Sequence, residues 1–501
     1  MVFPHPLPLV PAPVSAVAGE GRMPVTPALR VAGPADAAAH LIDAVDGRSG
    51  IRLSHVDGEA EISLRIDPSA TTSEAYTLTV SDTAVIVGAD AAGLFYGIRT
   101  LLQLLREEED GSWGLLRAVV EDSPRFPHRG VMLDVARHFF GVDDVKRFID
   151  ATSALKFNHL HLHLSDDQGW RIEIESWPRL TERASASAAG GDPGGFYTKG
   201  DYREIVDFAA SRHMIVIPEI DLPGHTHAIG VAYPELVEAP ALNDALVAES
   251  ARLGQPLPIA GTPYTGWGVG HSSVRIREER TYDFVRDVVR ELAAATPGPY
   301  IHVGGDESLG TPQADFDLFA SRVTAIVVDA GKVPVAWHEM GAAMNIAEGT
   351  IGQYWGSIVP QEHHAEEAAR FVERGGGLIM SPSNAAYLDM KYDDAYPLGL
   401  DWAGTIDLPT AYGWEPTAIL DVPGSAILGV EAPLWSETTR TFADVERLVF
   451  PRAAAHAEIG WSPRDARDWE SFRTRLGALA PLWNAEGIDF HDSADVTWSE
   501  R

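Results

Sequence analysis

Hydrophobic and polar positions divide this chain into two regions with different periods. Residues 1 to about 20 are rich in Pro, Ala and Val and read as an extended lead-in. From about 25 to 120, Ile51-Arg52-Leu53-Ser54 and Glu61-Ile62-Ser63-Leu64-Arg65-Ile66 alternate like half-buried strands. Ala75–Val80, the turn Ser81-Asp82-Thr83 and Ala84–Val87 read as a hairpin. After Asp90, apolar Leu94, Ile98, Leu101, Leu102 and Leu105 recur at helical spacing. The first region, 1–122, is therefore expected to be a small α+β domain.

The pattern changes near Asp122-Ser123-Pro124-Arg125-Phe126-Pro127. Eight strand-like runs follow: Gly130–Val135, Phe157–Leu164, Met214–Ile220, Tyr300–Val303, Val333–Trp337, Thr350–Trp355, Gly377–Met380 and Ala426–Val430. Helical patterns separate most of them, over Val142–Lys156, Asp201–Arg212, Glu278–Ala295, Gln313–Ala330, Gln361–Arg374 and Ala443–Ile459. Eight alternating units predict an α/β chain whose second domain, 123–501, is a (β/α)8 TIM barrel with its active site at the C-terminal strand ends. Long insertions at 238–275 and 390–425 read as lids or subsite walls.

Composition narrows the choice. Hydrophobic residues make up 45% of the 501 positions, enough for a sizeable core. No apolar run is long enough to span a bilayer. The formal charge of −33 disfavours nucleic acid and anionic membrane as partners and is compatible with a neutral ligand such as a sugar. The absence of cysteine excludes disulfides and thiolate chemistry. The start Met1-Val2-Phe3-Pro4-His5-Pro6-Leu7-Pro8 lacks the order of a secretory signal, so the expected location is the cytoplasm, or outside if a leader has been removed.

The chemistry gathers after the strand-like runs. Tyr300-Ile301-His302-Val303 stops at Gly304-Gly305, and the adjacent carboxylates Asp306-Glu307 follow. Adjacent residues of a regular strand face opposite ways. A Gly-Gly step lets the backbone bend so that both acids enter one cavity. Two unequal carboxylates there can be kept one ionised and one protonated, as glycoside cleavage requires. Other runs end at Asp134 to Arg137-His138, at Asp166-Asp167, at Asp221 to His225, at Trp337-His338-Glu339 and at Trp355. Tyr387, Asp389 and Trp402 lie in the seventh loop, and Trp435-Ser436-Glu437 follows the last run. Acids that bond hydroxyls and flat indoles that cover a sugar's C–H faces suit a carbohydrate site.

Taken in order, Arg137-His138, His161 to Asp167, Asp221-Leu222-Pro223-Gly224-His225, His302 to Glu307, Trp337-His338 and Trp435-Ser436-Glu437 resemble a bacterial family 20 glycoside hydrolase, a β-N-acetylhexosaminidase, from about residue 25 onward. The resemblance implies exo-hydrolysis of terminal GlcNAc or GalNAc with retention, through an oxazolinium formed by the sugar's own acetamido group. It implies that Glu307 is the general acid and base, that Asp306 orients the acetamido group, and that Tyr387 bonds its oxygen. It also implies that Asp166 and His225 support Glu307 and that Asp221 stands behind the site. Arg137, Asp389 and Glu437 would bind ring hydroxyls. Trp337, Trp355 and Trp435 would form the acetamido pocket and ring floor, with Trp402 at the entrance. No cofactor is implied, and the partner is a small sugar or an oligosaccharide.

Three rival readings bear on the same residues. His159, His161 and His163 alternate on one strand and, with His225 and His227, invite a metallohydrolase reading. Hydrogen-bonded interior histidines are the plainer account. A catalytically silent carbohydrate-binding barrel would keep the tryptophans and lose the acid, yet Asp306, Glu307 and Tyr387 are all present. A chitinase-type endo-enzyme presents acids spaced as Asp-x-x-Asp-x-Asp-x-Glu, which Gly304-Gly305-Asp306-Glu307 does not match.

Overall fold

The computed structural model describes residues 7–361 and 363–499. The first residues of the expected lead-in and position 362 of one expected helix lie outside them. The chain forms two compact units, and these do not follow chain order. Among the described residues, one comprises 7–129, 151–157 and 450–499, and the other those of 130–150 and 158–449.

The first unit carries a sheet of strands β1 (Ser15–Val25), β2 (Arg30–Ala32), β3 (Ser54–His55), β4 (Ile62–Ile66), β5 (Tyr76–Val80), β6 (Ala84–Gly88), β7 (Leu105–Glu107) and β8 (Trp113–Asp122). Their order is β1-β8-β5-β6-β4-β2-β3, with β7 also paired to β8. In β5, every second side chain is buried, which is the one-sided pattern of a sheet packed on helices. Helices α1 (Ala35–Ser49) and α2 (Ala91–Leu104) contribute Leu41 and Ile98 to the same buried cluster as Val31, Leu78 and Ile86. The side chain of Asp90 caps α2 by accepting from Gly93 N. A Cβ on Gly97 of α2 would meet Ile86 Cγ2 at 2.4 Å, so glycine sets how closely helix and sheet approach.

The second unit is the expected barrel. Strands β9 (His128–Asp134) and β10 (His159–His163) are followed by the small pair β11 (Ser165–Asp166) and β12 (Gly169–Trp170). Then come β13 (Ile215–Glu219), β14 (Tyr300–His302), β15 (Val333–Trp337), β16 (Ile351–Tyr354), β17 (Leu378–Met380) and β18 (Ile427–Leu434). Eight of them close in the order β10-β13-β14-β15-β16-β17-β18-β9. Val335, Ile351 and Ile379 form an apolar layer in the barrel. Further toward the C-terminal strand ends the buried residues become polar, among them His163, Glu219, His302, Gln353 and Glu431.

Four sequence expectations need correction. The lead-in becomes regular at Ser15, because β1 pairs antiparallel with β8. Ile51–Leu53 is not a strand; only Ser54–His55 pairs, with β2. The helix expected over Val142–Lys156 ends at Ser153, and Lys156 takes a left-handed φ of 69°. The helix expected over Ala443–Ile459 is two helices, Phe442–Val449 and Arg452–Trp461. Pro451 lies between them, where its missing N–H and its ring interrupt a helix. Among the described residues, no helix is long and apolar enough to cross a membrane.

Candidate active site

The bend after β14 brings the two acids together. Gly304 and Gly305 have φ of 69° and 108°, and after Asp306 the backbone is left-handed again at Glu307, with φ of 45°. A Cβ on Gly304 would lie 1.7 Å from Asp221 Oδ1, so glycine is required there. Asp221 Oδ1 in turn accepts from Gly305 N at 3.2 Å. The result is one imidazole facing both acids: His225 Nε2 lies 3.6 Å from Asp306 Oδ2 and 3.5 Å from Glu307 Oε2. His225 also has a positive φ, 55°. Non-glycine residues adopt such conformations at a cost, and they concentrate where function demands a side-chain direction.

The two acids differ in environment. Asp306 is buried, whereas the Glu307 side chain is about a third exposed. Burial and the charges of Glu307 and Glu219 outweigh His225 and push Asp306 up to about 6. Burial and the neighbouring Asp306 raise Asp221 well above the usual carboxylate range. Asp166 shows the reverse. Burial opposes its charge, but Arg137, His225 and His163 overcome burial and hold it well below that range. Its Oδ2 lies 2.8 Å from Arg137 Nη2 and from His163 Nε2, and its Oδ1 is 3.2 Å from His225 Nδ1. Asp166 thus links the barrel wall to the imidazole beside Glu307.

A cluster of aromatic rings accompanies these acids. Trp337 and Trp435 have centroids 5.9 Å apart, and Tyr387 lies 6.2 Å from Trp435 and 5.8 Å from Trp402. Trp402 lies 6.0 Å from Trp355. Trp402 is 54% exposed and stands at the rim, while Trp337, Trp435 and Tyr387 are buried. Arg137 stacks 4.7 Å above Trp435. Burial and then the Asp389 charge raise the Tyr387 phenol well above its ordinary range, so it remains a proton donor. Arg137 Nε, His225 Nε2, Asp221 Oδ2, Asp306 Oδ1 and Glu437 Oε2 are buried with no protein hydrogen-bond partner. Buried polar atoms are normally paired, so such a set fits a polar ligand that supplies the partners.

The thirteen residues singled out from the sequence all lie in the barrel unit. Contacts connect Asp166, His225, Asp306, Glu307 and Arg137, and a second set of ring contacts connects the four tryptophans with Tyr387.

Three residues received no role from the sequence. Glu219 accepts from Trp337 Nε1 at 3.0 Å and from His163 Nδ1. Glu339 accepts from Trp355 Nε1 at 2.9 Å. Asp167 Oδ1 accepts from His227 N at 2.9 Å and Ser272 Oγ at 2.6 Å, tying the end of the 238–275 insertion to the His225 turn. The signal for Glu219 was its place two residues before Asp221, on the same face of an apolar strand. Candidate metal-holding groups include His161, Glu219 and His302, whose ligand atoms lie within 4.8 Å of one another. Both oxygens of that carboxylate already accept hydrogen bonds, one from Trp337 Nε1 and one from His163 Nδ1.

The model of the glycosyl hydrolase family 20 catalytic domain matches residues 126–315 and 308–464, and that of the family's domain 2 matches 7–123. The chain belongs to glycosyl hydrolase family 20. A family 20 β-N-acetylglucosaminidase of known structure is 52% identical, with a TM-score of 0.91 over 98% of this chain and 99% of that one. The Streptomyces plicatus N-acetyl-β-hexosaminidase, solved in complex with Thio-NAglucal, is 43% identical, with a TM-score of 0.91 over 98% of each chain. A β-N-acetylhexosaminidase of Cellulomonas fimi is 39% identical over 92% of this chain and 89% of its own length. This family 20 barrel is therefore preceded by the family's own second domain.

Proposed function

We propose that this family 20 enzyme is an exo-acting β-N-acetylhexosaminidase that removes terminal N-acetylhexosamine with retention. The observation that carries the proposal is the pair Asp306–Glu307, unequally buried beside one imidazole, in a barrel unit that also holds a cluster of indoles. In the first step, the substrate's acetamido oxygen attacks C1 while the C1–O bond breaks, and Glu307 gives its proton to the leaving oxygen. Asp306 stabilises the positive charge that develops at the acetamido nitrogen, and Tyr387 holds the attacking oxygen. In the second step, water attacks C1, gives a proton to Glu307, and the oxazolinium opens to the retained sugar. The nucleophile is tethered to the substrate, which removes much of the entropic barrier. Arg137, Asp389 and Glu437 would receive ring hydroxyls, and Trp402 would meet the departing group.

A panel of aryl β-glycosides tests the proposal. The N-acetylglucosaminide and N-acetylgalactosaminide should turn over, and the glucoside, which lacks the acetamido group, should not. Comparable turnover of the glucoside would reject it.

A further inference from the structure

The site described above leaves one central carboxylate unused. Glu219, at the end of β13, is fully buried. Its Oε1 accepts from Trp337 Nε1 at 3.0 Å and lies 2.9 Å from His302 Nδ1. Its Oε2 accepts from His163 Nδ1 and lies 3.0 Å from His161 Nε2. Each oxygen thus faces two nitrogens and accepts a hydrogen bond from one of them, Trp337 Nε1 at Oε1 and His163 Nδ1 at Oε2.

Those four partners lead in two directions. Trp337 belongs to the ring cluster with Trp435. His163 passes through Asp166 to His225, which faces Glu307. Beyond Glu219, His161 Nδ1 bonds Glu431 Oε1 at 2.8 Å, and Glu431 also accepts from Gln353. Carboxylate and imidazole therefore alternate from Glu431 through His161, Glu219, His163 and Asp166 to His225. A carboxylate cannot donate, so His163, hydrogen-bonded to a carboxylate at each ring nitrogen, carries both protons. The electrostatics agree: burial opposes the charge on His161, but Glu431 and Glu219 raise it to about 9. The same balance, with Glu219 and Asp166 as the partners, raises His163 well above its ordinary value.

We propose that Glu219 is a positioning residue that sets both halves of the site at once, fixing the Trp337 indole at the acetamido pocket and, through His163 and Asp166, the charge state of His225 beside the acid Glu307. The proposal rests on the function proposed above. Arg137 faces this line at His163 and at Asp166. Glu219 meets His161, His163, His302 and Trp337, and senses Asp221 and Asp306. His225 meets Asp166, Asp221, Asp306 and Glu307 and senses His271. Glu307 also neighbours Asp306 and Glu339.

Three single substitutions separate the two directions. Glu219→Gln retains the volume but turns an amide NH2 toward nitrogens that need an acceptor, and it removes a negative charge. His163→Gln removes a positive charge and leaves the Trp337 bond. Trp337→Phe removes the indole N–H and leaves the imidazole line. Each is assayed for the pH profile of kcat/KM, and for binding of a thiazoline mimic of the oxazolinium against product sugar, at its own optimum.

Glu219→Gln should lower kcat/KM by about 100-fold, the scale of a small misplacement at a reacting centre. It should move the profile to lower pH by about half a unit, because a lost negative charge weakens the proton affinity of nearby groups. It should also reduce the preference for the thiazoline. His163→Gln should move the profile to higher pH and retain the preference. Trp337→Phe should reduce the preference and leave the profile in place. Profiles of Glu219→Gln and His163→Gln that coincide with the wild type, or move in the same direction, would overturn the assignment. So would a thiazoline preference untouched by Glu219→Gln. If Glu219→Gln fails to fold, the other two decide: a profile shift in Trp337→Phe, or none in His163→Gln, overturns it. A wild-type protein inert on both N-acetylhexosaminides would be a failure of the functional reading, distinct from these outcomes.

Discussion

Each unit buries a cluster of charged and polar side chains, and the two clusters are finished differently. In the sheet unit, Asp122 Oδ2 bonds Lys156 Nζ at 2.8 Å and Tyr76 OH at 2.6 Å, and its Oδ1 accepts from Trp461 Nε1 at 2.9 Å. The Tyr76 hydroxyl also meets Thr100. Every member is occupied by another, and the surroundings are apolar, with Leu78, Ile98 and Val120 in the same unit's core. In the barrel, the line from Glu431 to His225 is equally buried, but it ends in atoms that no protein group bonds, such as Asp306 Oδ1 and Arg137 Nε. A closed polar cluster holds a fold together, and an open one is prepared for a ligand.

The sharpest way to break this comparison is to disable the open cluster at its reacting end. Glu307→Gln should lower turnover of an unactivated disaccharide by about two to four decades, the usual contribution of a general acid, while thermal unfolding remains near wild type. Activated aryl glycosides should suffer less. Hydrolysis of the disaccharide at near wild-type rates would remove Glu307 from the acid role.

The closed cluster should respond in the opposite sense. Lys156→Met leaves Asp122 buried without its cation, and loss of one partner of a buried pair costs about 3–5 kcal/mol. Denaturant unfolding should show that loss, while kcat of the folded protein stays within about twofold, because the Lys156 ammonium bonds Asp122 and Tyr76 and no residue of the site. A large fall in kcat with unchanged stability would contradict the division between the clusters.

A pH titration sharpens the comparison further. Asp306 must be ionised to stabilise a developing cation, and it is pushed up to about 6. The acid limb of kcat/KM should therefore fall as pH drops through about 6, not near the ordinary aspartate value of about 4. In Asp306→Asn that limb should disappear along with most of the activity. The smallest effect belongs to the rim. Trp402→Ala should raise KM for chito-oligosaccharides by about three- to tenfold, the value of one aromatic contact, with little change for a small aryl glycoside.

Much of the architecture was legible because the barrel strands are short apolar runs that end in chemistry-bearing residues. The Gly304-Gly305 step also announced its own bend. The parts that were not legible depended on contacts between segments far apart in sequence. That Ser15–Val25 is a strand rests on pairing with Trp113–Asp122. The break at Pro451 was written in the sequence but was overridden by the helical spacing around it. Glu219 had no role assigned from the sequence, because its importance comes from four partners on three different strands. The tie from Asp167 to Ser272 crosses 105 positions, so no local pattern could indicate it.

The central claim is that the substrate supplies the nucleophile, and one series of rates tests it most directly. Aryl N-acetylglucosaminides carrying zero, one, two and three fluorines on the acetyl group present a progressively poorer carbonyl oxygen to C1. If that oxygen attacks, log kcat/KM should fall steeply and evenly along the series. A flat series would mean that a protein carboxylate does the attacking and would contradict the account.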